Sequence, residues 1–144
     1  MRALILARYG DAHRAFELRE FPDPIPTDDE VQIQTEYSGV NYADVMARLG
    51  LYPDVPSLPV VLGYEVVGRI EKLGEKVSQF RSDLKVGQRV VALTRFGGYA
   101  SHVLAKQSAV LPLDGEADGA EATALATQGV TAFLAAEDGV RLHA

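Results

Sequence analysis

A chain of 144 residues that is 47% hydrophobic is long and apolar enough to bury one core, so a single folded domain is expected rather than a disordered segment. Its 20 acidic residues outnumber 14 basic ones, for a net charge of −6, and no run of Lys or Arg is available to track a phosphate backbone, so nucleic acid is not an expected partner. Without cysteine there is no disulfide framework and no thiolate nucleophile, and His13, His102 and His143 are too scattered to read as a metal-ligand set.

In chain order, short β-rich blocks at 2–7, 31–38, 66–73, 88–93 and 99–104 read as strands, each bounded by Gly, Pro, Asp or Ser. The apolar stretches 3–7 and 90–93 fall far short of the roughly 20 residues that a membrane helix needs. Arg8 cuts the first stretch before it could serve as a signal-peptide core, so a cytoplasmic protein with no membrane insertion is expected. A Pro-rich connection at 21–26 and a turn-rich one at 52–59 make the strand spacing irregular, which favours a partly open barrel over a flat meander. A first helix opens at Asn41, with Asp44 three positions on, and stops at Gly50. A second opens at Asp118, with Glu121 placed to reach back to the cap, and runs to about Glu137, bent or divided at Gly129. This second helix is apolar on more sides than a lone domain can cover. The adjacent Gly97 and Gly98 fall between two strand-like runs with no helix after them, which reads as a hairpin turn rather than a phosphate cradle.

Several motifs stand in a telling order: Asn41-Tyr42-Ala43-Asp44, Gly50-Leu51-Tyr52-Pro53, Leu62-Gly63-Tyr64-Glu65, Val86-Gly87-Gln88-Arg89-Val90, Gly97-Gly98-Tyr99-Ala100 and Gly129-Val130-Thr131-Ala132. Together they resemble the zinc-independent quinone-oxidoreductase branch of the medium-chain dehydrogenase/reductase superfamily, most closely its synaptic-vesicle-membrane-protein-like members. The resemblance implies a mainly β, GroES-like catalytic domain with short helices over residues 1–144, ending at the junction where a Rossmann domain would begin. It also implies hydride transfer from NADPH to a small quinone or enone. No G-x-G-x-x-G is present to hold a pyrophosphate at a helix N-terminus, so the Rossmann domain is expected in cis or in trans as a missing partner. The isolated chain is therefore expected to be inactive and not to bind NADPH tightly. A different reading of the same residues is a stand-alone GroES-like binding or assembly module.

The resemblance also assigns roles. Zinc-dependent relatives hold their metal with a Cys where this chain has Asn41 and a His where it has Tyr64, so no zinc is expected. Asn41 is placed beside the nicotinamide, a role compatible with capping its helix. Asp44 is placed on the cofactor side, although a first-turn acid also suits the helix dipole. Tyr52 is expected to cover the acceptor ring and bond its oxygen, with Tyr64 beside it in the substrate pocket. Thr131 matches a cofactor-facing threonine at the domain junction, and equally fits a helical Thr that bonds back to its own backbone. Glu65 is expected to pair with an arginine such as Arg89. The motif at 87–90 carries Gln88 where the family usually has Asp, which marks a divergent member.

Overall fold

The computed structural model describes residues 1–139. Of the residues singled out above, His143 lies outside them. Among the described residues, eight strands form two sheets. The smaller holds β1 (Arg2–Leu6) between β2 (Phe16–Glu20) and β4 (Val60–Val61), both antiparallel to it. The larger has the order β7-β3-β5-β6-β8, from His102–Lys106 through Glu30–Ser38, Glu65–Leu73 and Arg89–Leu93 to Val110–Pro112. The sheets meet where Ala3 bridges Ala100, with Leu4 N–H donating to the Tyr99 carbonyl and Ser101 N–H to that of Arg2. This is the partly open barrel expected from the irregular strand spacing.

Alternation explains the core. Ala3 and Ile5 on β1, Val31 and Ile33 on β3, Val66 and Ile70 on β5, Val90 and Ala92 on β6 and Val103 and Ala105 on β7 all turn inward and form one buried cluster. Two register shifts between β3 and β5 curl the pair. At the second of them Gly68 faces β3 so closely that a Cβ would stand 2.1 Å from the Gln34 carbonyl oxygen. A second small cluster, Leu6, Ala15, Ala47 and Leu62, seats α2 (Tyr42–Arg48) under β1, with Tyr52, Phe96 and Tyr99 packed around it.

Several short elements escaped the sequence reading: α1 (Ala12–Ala15), α3 (Val77–Phe80), strands β2, β4 and β8, and a 3-10 turn at Gln107–Ala109. Strand β2 has only partly buried or exposed residues, Phe16–Glu20, so it carries no alternating apolar signal. The glycine pair also differs from expectation. Strand β6 pairs with β5 and β8, and β7 pairs with β3, so Gly97 and Gly98 join no hairpin. Instead residues 97–99 cross to lie along 61–63, through Gly97 N–H to Val61, Gly98 N–H to Gly63 and Tyr99 N–H to Leu62. Gly63 and Gly98 are in backbone contact there, so a Cβ on either would stand 2.9 Å from the other.

The last helix starts where expected. Asp118 accepts from the N–H groups of Ala120 and Glu121 at 2.7 and 3.0 Å and opens α4 (Gly119–Ala124). It continues through a π-helical turn (Leu125–Gly129), α5 (Val130–Leu134) and a second π-helical turn (Ala135–Gly139). Gly129 keeps helical dihedrals, so the irregularity is a widened turn and not a break at the glycine. Leu125, Val130, Phe133 and Leu134 are exposed along this helix. No described helix is long and apolar enough to cross a membrane.

Candidate functional site

Asn41 occupies the N-cap of α2 in extended conformation. Its N–H donates to Asp44 Oδ2 at 2.9 Å, and the second Asp44 oxygen, Oδ1, accepts from Gly63 N–H at 3.2 Å. Asp44 is buried and thereby ties the start of the helix to the residue before Tyr64. Gly63 adopts φ +99°, a conformation that favours glycine, and its carbonyl accepts from Thr94 Oγ1 at 3.0 Å. Thr94 N–H in turn holds the Tyr64 carbonyl at 2.7 Å. The backbone at Gly63 and Tyr64 is thus held from two sides, by the Asp44 carboxylate and by Thr94.

Glu65 departs from expectation. It makes no ion pair with Arg89, whose guanidinium bonds Glu36 at 2.9 Å and the Ala117 carbonyl at 2.7 Å. Glu65 is fully buried, and Asn41 Nδ2 lies 2.8 and 2.9 Å from its two oxygens. Thr127 Oγ1, from the first π-helical turn, donates to Oε2. The physical reason is position along one face: Glu65 begins β5 on the face opposite Val66 and Ile70, where Asn41 and Thr127 cover it, whereas Arg69 and Arg89, paired further along the same ladder, meet Glu36 at the rim. No Lys, Arg or His is in salt-bridge reach of Glu65 among the described residues.

Asn41, Tyr52, Tyr64 and Thr131 come together around one cleft of about 720 Å³, also lined by Tyr42, Thr127, Gln128 and Ala132. Asp44 is not among the lining residues. Its carboxylate faces the backbone, and it borders a separate apolar groove of about 670 Å³ with Leu4, Phe16, Val45 and Tyr99. Tyr52 stands edge-on to Tyr64, ring centroids 6.4 Å apart at 88°, and Phe96 lies 5.5 Å from Tyr64 on another side. Tyr64 Oη is buried with no hydrogen-bond partner. Burial first, then the neighbouring Tyr52 phenol and the charges of Asp44 and Asp54, push the Tyr64 phenol well above its ordinary value. Burial and the Asp44 carboxylate do the same to Tyr99. Both phenols therefore stay protonated, as donors, throughout the neutral range.

Thr131 spends its proton on the Thr127 carbonyl at 2.7 Å, so the back-bonding role foreseen for it is present alongside its place in the cleft. Tyr42, Thr127 and Gln128 were not foreseen. Tyr42 is exposed at the first turn of α2, and Thr127 reaches Glu65 across 62 residues of sequence, a contact with no local signature. Among the described residues no three His, Cys, Asp or Glu side chains are grouped to hold a metal ion. An amide and a phenol at positions 41 and 64 are poor ligands for zinc. The cleft is aromatic, edged by hydroxyls and an amide, and can take a flat polar ring. No described helix that opens on it has the Gly-rich turn needed to hold the phosphates of a dinucleotide.

Comparison with known proteins agrees with this geometry. Residues 27–115 match the family model of the alcohol dehydrogenase GroES-like domain. The chain is 36% identical over 136 residues to the quinone oxidoreductase of Lama guanicoe, a match that covers 94% of this chain and 40% of that protein. The crystal structure of the human synaptic vesicle membrane protein VAT-1 homolog-like protein superposes with a TM-score of 0.90 at 29% identity, over 99% of this chain and 45% of that one. Escherichia coli quinone oxidoreductase, solved in complex with NADPH, superposes with a TM-score of 0.87 at 27% identity, over 96% and 41% of the two chains. The chain therefore spans less than half the length of each of these relatives. With the barrel, the motifs and the matched residues in agreement, the chain belongs to the alcohol dehydrogenase GroES-like domain family, in the quinone-oxidoreductase branch of the medium-chain dehydrogenase/reductase superfamily.

Proposed function

We propose that this chain is the substrate-side domain of a zinc-independent, NADPH-dependent reductase of quinones or conjugated carbonyls. On this reading a Rossmann domain completes the site, in cis or in trans. The observation that carries the reading is the aromatic cleft with an unpartnered, protonated phenol inside it: Tyr64 Oη is buried, lacks a partner and sits beside the Tyr52 ring. When bound, NADPH supplies the hydride. Tyr52 and Tyr64 cover the flat acceptor and donate to its carbonyl oxygen, where negative charge gathers during reduction. Asn41 and Thr131 edge the nicotinamide side, and Asp44 fixes Asn41 from behind through its backbone N–H. Phe96 and the small cluster beneath α2 keep water from the acceptor face.

The test is a chimera in which this chain replaces the corresponding domain of the Escherichia coli enzyme. It should oxidise NADPH with a simple benzoquinone, and Tyr64→Phe should lower kcat about tenfold or more, as loss of one donor to a developing oxyanion does. A folded but inactive chimera would overturn the reading. The 144-residue chain alone should show no turnover, and measurable NADPH oxidation by the pure chain would refute its dependence on a second domain.

A further inference from the structure

Glu65 does not itself line the cleft, yet it holds two residues that do. Asn41 turns Nδ2 inward onto both carboxylate oxygens at 2.8 and 2.9 Å, and Thr127 gives its only hydroxyl proton to Oε2. A carboxylate accepts and cannot donate, so this arrangement dictates which end of the Asn41 amide faces it. Thr131 gives its own proton to the Thr127 carbonyl. Along this wall Thr127 Oγ1 and Thr131 Oγ1 are left with lone pairs only, and Asn41 is held with its nitrogen turned inward. Across the cleft Tyr64 Oη has a proton and no partner. Gly39 makes the arrangement permissible, since any side chain there would occupy the Glu65 carboxylate's place: an added Cβ would stand 1.7 Å from Oε1.

From this geometry we infer that Glu65 is a positioning residue that sets the hydrogen-bond polarity of the cleft. It makes Thr127 Oγ1 an acceptor on the wall formed by Asn41 and the last helix, beside Thr131 Oγ1, whose proton the Thr127 carbonyl takes, and it leaves donation to the carbonyl end to the tyrosines. The inference rests on the function proposed above and deepens it. The acceptor wall selects a ligand group rich in N–H, such as a carboxamide, and the tyrosine wall selects a carbonyl. The two ends of the cleft are then not interchangeable, and a carbonyl acceptor bound the wrong way round meets lone pairs.

Nuclear magnetic resonance on the 144-residue chain tests this with two readouts. The first is the Asn41 side-chain amide pair. It should be shifted downfield and exchange with water at least about tenfold more slowly than exposed Asn amides, as a buried charge-assisted bond requires. Glu65→Gln should abolish both properties, and an Asn41 signal unchanged in that variant overturns the inference. The second uses nicotinamide and 3-acetylpyridine, which differ in replacing the carboxamide NH₂ by a methyl group. Nicotinamide should perturb the Thr127 and Thr131 signals at several-fold lower concentration, with the preference lost in Glu65→Gln. Equal responses in the unaltered chain overturn the assigned polarity. Where Glu65→Gln fails to fold, Thr127→Val should weaken the preference and Thr127→Ser restore it, and no change in either variant again overturns the inference. If neither probe binds the unaltered chain, the placement of the nicotinamide end in this cleft fails, while the Asn41 amide signal still decides the role of Glu65.

Discussion

Replacing Gly39 by alanine should be among the most costly single-methyl additions in the chain. Its φ does not lie in the left-handed region, so the backbone tolerates alanine there. The obstacle is the Glu65 side chain, with Oε1 1.7 Å, Cδ 2.6 Å and Cγ 2.9 Å from the new Cβ. The carboxylate must leave, and it is buried between Asn41 and Thr127. Hydrogen bonds to a charged group contribute about 1.5–3 kcal/mol each. The two Asn41 contacts share one nitrogen and count as one, so losing that bond and the Thr127 bond costs about 3–6 kcal/mol. Alanine returns about 0.4–1 kcal/mol by restricting the unfolded chain. A net loss of about 3 kcal/mol in urea denaturation is expected. In a Glu65→Ala background the obstruction is gone, and the added cost of Gly39→Ala should fall below about 1 kcal/mol, a coupling of about 2 kcal/mol or more. Gly115, with open space around its Cβ, serves as the control and should tolerate alanine without loss. A Gly39→Ala cost below about 1 kcal/mol, or one unchanged in the Glu65→Ala background, would refute the packing argument.

Other perturbations separate the parts of the site. Asp44→Ala removes the acceptor for Asn41 N–H and leaves Gly63 N–H without its side-chain acceptor, so it should cost about 2–3 kcal/mol in the same denaturation assay. Arg89→Lys cannot reproduce the forked contact to Glu36 and the Ala117 carbonyl, and should cost about 1–2 kcal/mol while speeding amide exchange at the start of α4. Equal exchange in both proteins would show that Arg89 does not anchor that helix. The raised phenols of Tyr64 and Tyr99 give an alkaline signature. The folded state keeps protons that the unfolded chain loses above pH 10.0, so their contribution to stability is complete below that pH and declines as pH rises past it. Tyrosinate absorbance should show two of the six tyrosines titrating late, and Tyr64→Phe should remove one of them. Six tyrosines titrating together in the folded protein would contradict the burial argument.

The sequence made the barrel legible because the strands that build it alternate. Strands β1, β3, β5, β6 and β7 each carry inward Val, Ile or Ala at alternate positions, and the expected blocks overlap them. Asp118 and Asn41 announce their helices by cap chemistry that operates within four residues. What was not legible is whatever depends on distant segments meeting. Strand β2 is held by β1 while contributing little to the core, and the crossing at Gly97 and Gly98 is dictated by the approach of Gly63 rather than by a turn of its own. The Glu65 misassignment has the same origin. Charge complementarity favours an arginine such as Arg89, but at the start of β5 Asn41 and Thr127 cover Glu65, and Arg89 meets the acid at position 36 instead. Four of the expected site residues share a cleft because the motifs carrying them flank one junction, where α2, β5 and the last helix converge.

That junction is unevenly supported. On the barrel side, the backbone at Gly63 and Tyr64 is held by the Asp44 carboxylate and by Thr94, and Gly63 meets Gly98 with no room for a Cβ. On the helix side, the side-chain bonds that run from the π-helical turn to the barrel are Thr127 to Glu65 and Gln128 to the Val40 carbonyl at 3.3 Å. The same helix exposes Leu125, Val130, Phe133 and Leu134. A wall attached by two bonds is easier to displace than one set in a sheet. Its seating is fixed where Thr127 meets the carboxylate, so Glu65 governs both the polarity of the cleft and the distance between its walls. Thr127→Val, which keeps the shape and removes the bond, should therefore speed amide exchange across residues 125–134 while leaving β5 as protected as before. Uniform exchange changes in both would mean that the helix and the barrel form one cooperative unit, and that Glu65 is no more than part of its core.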